Sequence, residues 1–186
     1  MQAFHPFLRI GSDRAALPRR RAQASHSLTL ASPALTAMTD FCCEGPAVTT
    51  ADRHIDDALR DMITIGIRAL LVVEGESVLG LITANDIMGE RPILFLQSPL
   101  CAGSPCRHSD IHVADVMTGV MDLQTLPFDW VERATIATVV ERFMNCDQSH
   151  LVVVSVPGKD GSSTLRGLFS RTRLERDLGH SLARHG

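Results

Sequence analysis

The sequence has no tyrosine and a single tryptophan, and aromatic residues fill only 4% of its 186 positions. Platforms that grip single-stranded nucleic acid stack bases on aromatic faces, so this chain is poorly equipped for that task. It also lacks an excess of charge: 18 Lys and Arg stand against 21 Asp and Glu, for a formal net charge of −3. No sequence-wide basic field attracts phosphates, which argues against nucleic acid as a general partner and leaves only a local patch open. No apolar run reaches the roughly 18–20 residues that span a bilayer, so no membrane partner is expected. Arg19, Arg20 and Arg21 follow the few apolar residues of the N-terminus instead of preceding an apolar stretch, the wrong order for a secretory signal. Cysteine is sparse and odd in number (Cys42, Cys43, Cys101, Cys106, Cys146), which suits a reducing, cytoplasmic setting. Catalytic signatures are missing as well: there is no G-x-S-x-G elbow, no Walker loop and no HExxH helix, and Asp56-Asp57 sit at a helix start where they suit the dipole. No enzyme is expected.

What is present is a core-forming composition, 45% hydrophobic and 21% charged, and an internal duplication. Pro46 maps onto Pro127, Ile55 onto Ile136 and Leu70 onto Leu151, all at an offset of 81. After an insertion around Pro157–Gly161, Gly80 maps onto Gly167 and Thr83 onto Ser170, at an offset of 87. Ile55, Ala58, Leu59 and Met62 follow the i, i+3, i+4, i+7 pattern of one apolar helix face, and so do Ile136, Val139, Val140 and Phe143. Ala69-Leu-Leu-Val-Val73 and Leu151-Val-Val-Val154 are too short for helices and too apolar for edge strands, so they read as buried strands. Turn residues follow each, then Val78–Ile82 and Leu165–Phe169 as further strands, each running into a second short helix. The segments ahead of the copies repeat too, Ala34–Thr39 against Val113–Thr118, as short helices ending in a Met-Thr step.

The expected fold class is α+β, a tandem pair of β-α-β-β-α modules packed sheet to sheet, because a unit of about 50–60 residues is marginal alone and gains by packing on its copy. The expected division is a loose arm at 1–26, a first module at 27–92, a Pro- and Gly-bearing linker at 93–110, a second module at 111–179 and a tail at 180–186.

Three features resemble the CBS domain, the module named after cystathionine β-synthase: Asp115-Val-Met-Thr118, the helix-to-strand passage Met62–Leu70, and Gly80-Leu-Ile-Thr83-Ala-Asn-Asp86. The last fits the family's pattern of Gly, hydrophobic, any, Thr/Ser, any, any, Asp. The resemblance covers about residues 27–179 and implies a non-catalytic regulatory module with a ligand cleft between the paired domains. The implied ligand is an adenine nucleotide or adenosyl compound: AMP, ADP, ATP or S-adenosylmethionine. No cofactor is implied. A homodimer and an unknown effector protein are the implied partners.

Thr83 and Asp86 have two readings. Thr-x-x-Asp at a strand-to-helix junction is a capping arrangement; the same junction can seat a phosphate while Asp86 accepts hydrogen bonds from a ribose diol. The resemblance favours the second and adds Ser149 and His150, just ahead of the partner copy's buried strand, as neighbours of the pocket. His150 can equally be a satisfied residue at a strand start. In the second copy Ser170 keeps the hydroxyl, but Arg173 stands where the family has its Asp, and a guanidinium accepts no hydrogen bond. That site, with Arg68, Ala69, Ser170, Arg171 and Arg173, is either lost or rebuilt for anionic groups, the alternative being that both arginines are simply solvated. Cys101-x4-Cys106-x-His108-x3-His112 holds four zinc-ligand types, but it lies in the linker without flanking glycines, and no metal is expected. The rival from another class is a structural dimerisation module with no ligand.

Overall fold

A computed structural model describes residues 28–101, 106–155 and 163–179. The arm assigned to 1–26, the tail at 180–186 and the insertion around Pro157–Gly161 lie outside these described residues. In chain order the strands are β1 (Thr39–Asp40), β2 (Val48–Thr49), β3 (Ala69–Glu74), β4 (Ser77–Thr83), β5 (Thr118–Gly119), β6 (Thr125–Pro127), β7 (His150–Val154) and β8 (Leu165–Ser170). The helices are α1 (Phe41–Glu44), α2 (Ile55–Ile65), α3 (Ala84–Met88), α4 (Arg91–Leu96), α5 (Val113–Val116), α6 (Phe128–Val131), α7 (Ile136–Met144) and α8 (Arg171–Leu178).

Both copies build their long helix as the periodicity predicts. α2 buries Ile55, Ala58 and Met62, and α7 buries Ile136, Val139, Val140 and Phe143. Gly66 ends α2 in the left-handed region at φ 78°, and its N–H reaches the Met62 carbonyl at 2.9 Å. Each apolar strand is covered on both faces, which is why it reads as a continuous hydrophobic run. In β3, Leu70 and Val72 face α2, while Leu71 and its β4 neighbour Leu81 share a cluster with Leu123 and with Val152 of the other sheet. The two sheets therefore pack face to face across an apolar layer, a mixed α+β architecture.

The sheet orders are β2-β3-β4-β5 and β1-β8-β7-β6. The β3/β4 and β7/β8 hairpins are equivalent, with Ala69 opposite Thr83 and His150 opposite Ser170, and the register shifts at Val72/Val73 and at Val153/Val154. β2 and β6 each add in parallel to their own half. The fourth strand comes from the opposite half: β5 pairs with β4, and β1 pairs with β8. The segments leading into each repeat are thus exchanged. Ala34, Ala37 and Met38 pack with Ile136, Phe143 and Phe169, while Ile111, Val113 and Val116 pack with Ile55, Met62 and Ile82. Backbone bonds fix the exchange, Val113 N–H to Arg53 O at 2.8 Å and Ile136 N–H to Ser32 O at 2.9 Å.

The exchange explains the glycine that opens each repeated motif. A Cβ on Gly80 would collide with the Thr118 carbonyl oxygen of β5, and one on Gly167 with the Thr39 carbonyl oxygen of β1. Only glycine lets the incoming strand approach this closely.

The stretch read as a linker from residue 93 opens inside α4 and continues through 3-10 turns at Pro99–Cys101 and His108–Asp110. Cys101 and Cys106 are joined in a disulfide, their Cα atoms 5.5 Å apart, which is within the usual span of such a bond. Both thiols are consumed, so the four-ligand zinc grouping does not form. His112 instead stacks on His54 with ring centroids 4.6 Å apart, and His108 Nδ1 lies 3.5 Å from Asp56. Among the described residues no helix is long and apolar enough to cross a membrane.

Candidate functional site

The β4-to-α3 junction of the first half meets the leading end of β7 from the second half around a pocket of about 240 Å³. Thr83, Asp86, Ser149 and His150 all line it, so the structure brings the first set of sequence candidates together. A backbone bond from Ala84 N–H to Arg68 O ties the α3 junction to the residue before β3, and its repeat equivalent runs from Arg171 N–H to Ser149 O, each at 2.9 Å. The same local fold thus sets the position of Arg68 in one copy and Ser149 in the other.

Thr83 and Asp86 form a reciprocal capping box. Asp86 N–H donates to Thr83 Oγ1 at 3.2 Å, and Asp86 Oδ2 accepts from Thr83 N–H at 2.8 Å and from the Thr83 hydroxyl at 2.7 Å. This commits Oδ2 to α3 and leaves Oδ1 turned to the pocket, where Arg91 Nε stands 3.2 Å away. Arg91 also donates to the Val116 carbonyl at 2.7 Å and to Thr118 Oγ1 at 3.0 Å, so one guanidinium joins α4, α3 and the exchanged strand β5. Asp86 is well shielded, its side chain 13% exposed.

His150 is buried, and its Nδ1 lies 2.9 Å from Ser149 Oγ. Burial, and then the positive charge of Arg68, push its pKa down to about 4, so the imidazole is neutral near pH 7. It can be a hydrogen-bond partner there but not a cation. Arg68 itself is exposed and donates to Asn85 Oδ1 at 3.2 Å.

Of the second-site candidates, Ala69 lies in the first copy, opposite Thr83 at the start of β3, and Ser170, at the start of α8 in the second copy, makes no side-chain cap bond. The two arginines are neither free forks nor simply solvated. Arg171 donates to the Phe143 and Cys146 carbonyls at the end of α7 and lies over the Phe143 ring, 5.4 Å from its centroid. Arg173 donates to Thr39 Oγ1 at 2.9 Å and stands 3.7 Å from Asp177. Arg173 thus holds the exchanged strand β1 as Arg91 holds β5, but with no carboxylate at the position equivalent to Asp86.

A larger hollow of about 360 Å³ opens elsewhere on the second half, beside Trp130, Arg142 and Cys146, and contains none of the sequence candidates. Its arginine already lies over the Trp130 ring, 5.5 Å from the centroid. Sequence reasoning missed Arg91 and Thr118 as pocket residues. The signal for Thr118 was its recurrence in the Met-Thr step; for Arg91 no periodic signal exists, because Gly89 interrupts the helix between it and Asp86.

The family model for the CBS domain matches residues 38–92. That segment is a CBS domain. Solved structures extend the likeness from that segment to the fold of a CBS pair. CBSX2 in complex with AMP is 18% identical, with a TM-score of 0.53 over 78% of this chain and 94% of that one. An uncharacterized conserved protein from Pyrococcus horikoshii is 19% identical, with a TM-score of 0.52 over 80% and 93%. The CBS domain of the bacterial CNNM/CorC family Mg2+ transporter, in complex with the inhibitor IGN95a, is 14% identical, with a TM-score of 0.51 over 80% and 77%. No curated protein matches the sequence.

Proposed function

We propose that this CBS pair is a non-catalytic regulatory module that binds an adenine nucleotide or adenosyl ligand in the pocket between its halves. The observation that carries this reading is the convergence of Thr83 and Asp86 from one half with Ser149 and His150 from the other around a single pocket. Asp86 Oδ1 is the acceptor available to a ribose hydroxyl, and such a charge-assisted bond contributes about 1.5–3 kcal/mol. The Ser149 hydroxyl and the neutral His150 ring line the same pocket and can hydrogen-bond a ligand's polar groups there. CBSX2, which has a similar fold, was solved with AMP bound, and this supports AMP among AMP, ADP, ATP and S-adenosylmethionine as the first ligand to try. Regulation follows if the ligand binds one relative placement of the two halves more tightly than another, with the output passed to an effector protein.

A ligand-free association module is the second reading, favoured by the exposed Ile63 and Ile65 at the end of α2, 73% and 59% accessible, where a second copy could pack in a homodimer. Calorimetry with the four ligands at up to millimolar concentration separates the two. Binding to the nucleotide site predicts a measurable heat, loss of ribonucleotide preference in Asp86→Ala and its retention in Arg173→Ala. Silence with all four ligands, with a dimer in ultracentrifugation, would favour association.

A further inference from the structure

We infer that the pocket selects its ligand by charge: affinity falls with each phosphate the ligand bears, so the module responds to S-adenosylmethionine or AMP and rejects ADP and ATP. The inference rests on the nucleotide reading of the pocket and concerns which members of that class it takes.

The charged side chains that line the pocket are Asp86, Asp147 and Arg91, two carboxylates against one guanidinium, a formal charge of −1. Arg91 is the only cationic side chain among the described lining residues, and it stands as an ion pair with Asp86, Nε to Oδ1 at 3.2 Å. His150 adds no charge, because its buried imidazole is neutral near pH 7. Arg68 stands beside the wall: it is exposed and donates to Asn85, which lines the pocket. Even with Arg68 counted, the total only reaches zero.

Backbone donors do not make up the difference. At the β4-to-α3 junction the N–H groups of Thr83, Ala84 and Asp86 are already bonded, to Asp86 Oδ2, the Arg68 carbonyl and Thr83 Oγ1. The junction reads Thr83-Ala-Asn-Asp86, so no glycine-rich cradle of the kind that seats polyphosphates forms there. Each phosphate beyond the first thus brings negative charge to a wall that is neutral or negative, with neither a further cation nor a cradle to receive it. S-adenosylmethionine is net positive, and the same wall attracts it.

The test is titration calorimetry on the full chain with S-adenosylmethionine, AMP, ADP and ATP at low salt, with chelator present so that no divalent cation masks phosphate charge. S-adenosylmethionine and AMP are expected to bind, AMP at least about ten-fold more tightly than ATP, with ADP between them. At 1 M salt, where charges are screened beyond about 3 Å, the margin of AMP over ATP should shrink to about three-fold or less. Asp147→Lys turns the formal charge of the wall from −1 to +1 at an exposed position between α7 and β7, and ATP should gain about ten-fold or more on S-adenosylmethionine there. ATP binding to the unmodified chain as tightly as AMP would overturn the inference while leaving the nucleotide site intact. A margin that persists at 1 M salt would also overturn it, by making the rejection one of shape, and so would a folded Asp147→Lys with an unchanged ranking. Failure of all four ligands to bind would remove this inference and the nucleotide reading together. The ranking and its salt dependence on the unmodified chain decide even if the variant fails to fold.

Discussion

Acidification should weaken this fold through one side chain. His150 is 6% exposed, and among the described residues it is the only buried side chain that can titrate. Burial and the neighbouring Arg68 lower its pKa from 6.5 to about 4. In the unfolded chain it returns to about 6.5. Between those values the unfolded state holds a proton that the folded state refuses, so stability rises with pH across the window and falls as the solution is acidified through it. At about 1.4 kcal/mol per pKa unit, the gap amounts to about 3 kcal/mol lost between pH 6.5 and pH 4. That is a large share of the ~5–15 kcal/mol that holds a typical domain together.

The assay is urea unfolding at pH steps from 7.5 to 4, followed by circular dichroism and by the fluorescence of Trp130, on the natural chain and on His150→Gln. Agreement of the two probes checks that a single transition is being measured. Glutamine keeps a polar group beside Ser149 but takes up no proton. Carboxylates that titrate in the same window contribute to both proteins, so the difference between the two profiles isolates the histidine. The natural chain should lose about 3 kcal/mol more than the variant over the range. Profiles that stay parallel within about 0.5 kcal/mol would refute the reasoning, since they would mean that position 150 is hydrated or already protonated in the folded state.

The exchanged strands and the anchored arginines give two more tests. Gly80→Ala and Gly167→Ala each force a Cβ against the carbonyl of an exchanged strand and should destabilise by about 1–3 kcal/mol, read as a lowered melting temperature; two neutral results would mean that β5 and β1 do not sit where the structure has them. Arg171→Ala strips two hydrogen bonds from the end of α7 and should lower stability by about 1–3 kcal/mol while leaving nucleotide affinity within about two-fold; a comparable loss of affinity would instead make Arg171 part of a second ligand site.

How much was legible in the sequence follows from which interactions are local in it. The hairpins and the long helices repeat their burial at equal positions, and a period-two or period-3.6 pattern is visible in any window that contains it. The capping pair Thr83 and Asp86 spans one helical turn and was readable for the same reason. The exchange was not, because an offset of 81 maps Thr39 near Thr118 whether each pairs at home or across, and its partners Leu168 and Leu81 lie in opposite repeats. The one local trace was glycine at 80 and 167, whose need appears only once the approaching carbonyl is known. The disulfide was hidden because a cysteine count carries no pairing, and the helix at Phe128–Val131 because it has no repeat equivalent: β2 and β6 occupy matching places beside β3 and β7, and the second copy has a longer stretch between that strand and its long helix. Arg91 was hidden because it acts on Asp86 across a break in the helix, through distance in space.

The exchange also limits how a bound ligand can move the halves. If each repeat were a separate sheet joined by a free connection, a bridging ligand could swing one about the other as on a hinge. Here β1 and β5 are hydrogen-bonded into the opposite sheet, and Arg91 and Arg173 fasten each exchanged strand at its threonine. A hinge opening would have to tear backbone bonds from both sheets and expose Ile111, Val113, Ala34 and Met38, which are buried in the opposite cores. The apolar layer of Leu71, Leu81, Leu123 and Val152 carries no such directional bonds. Sliding across that layer costs only repacking, so a small shear between the sheets is the motion the architecture leaves to a ligand held by Asp86 on one side and Ser149 on the other.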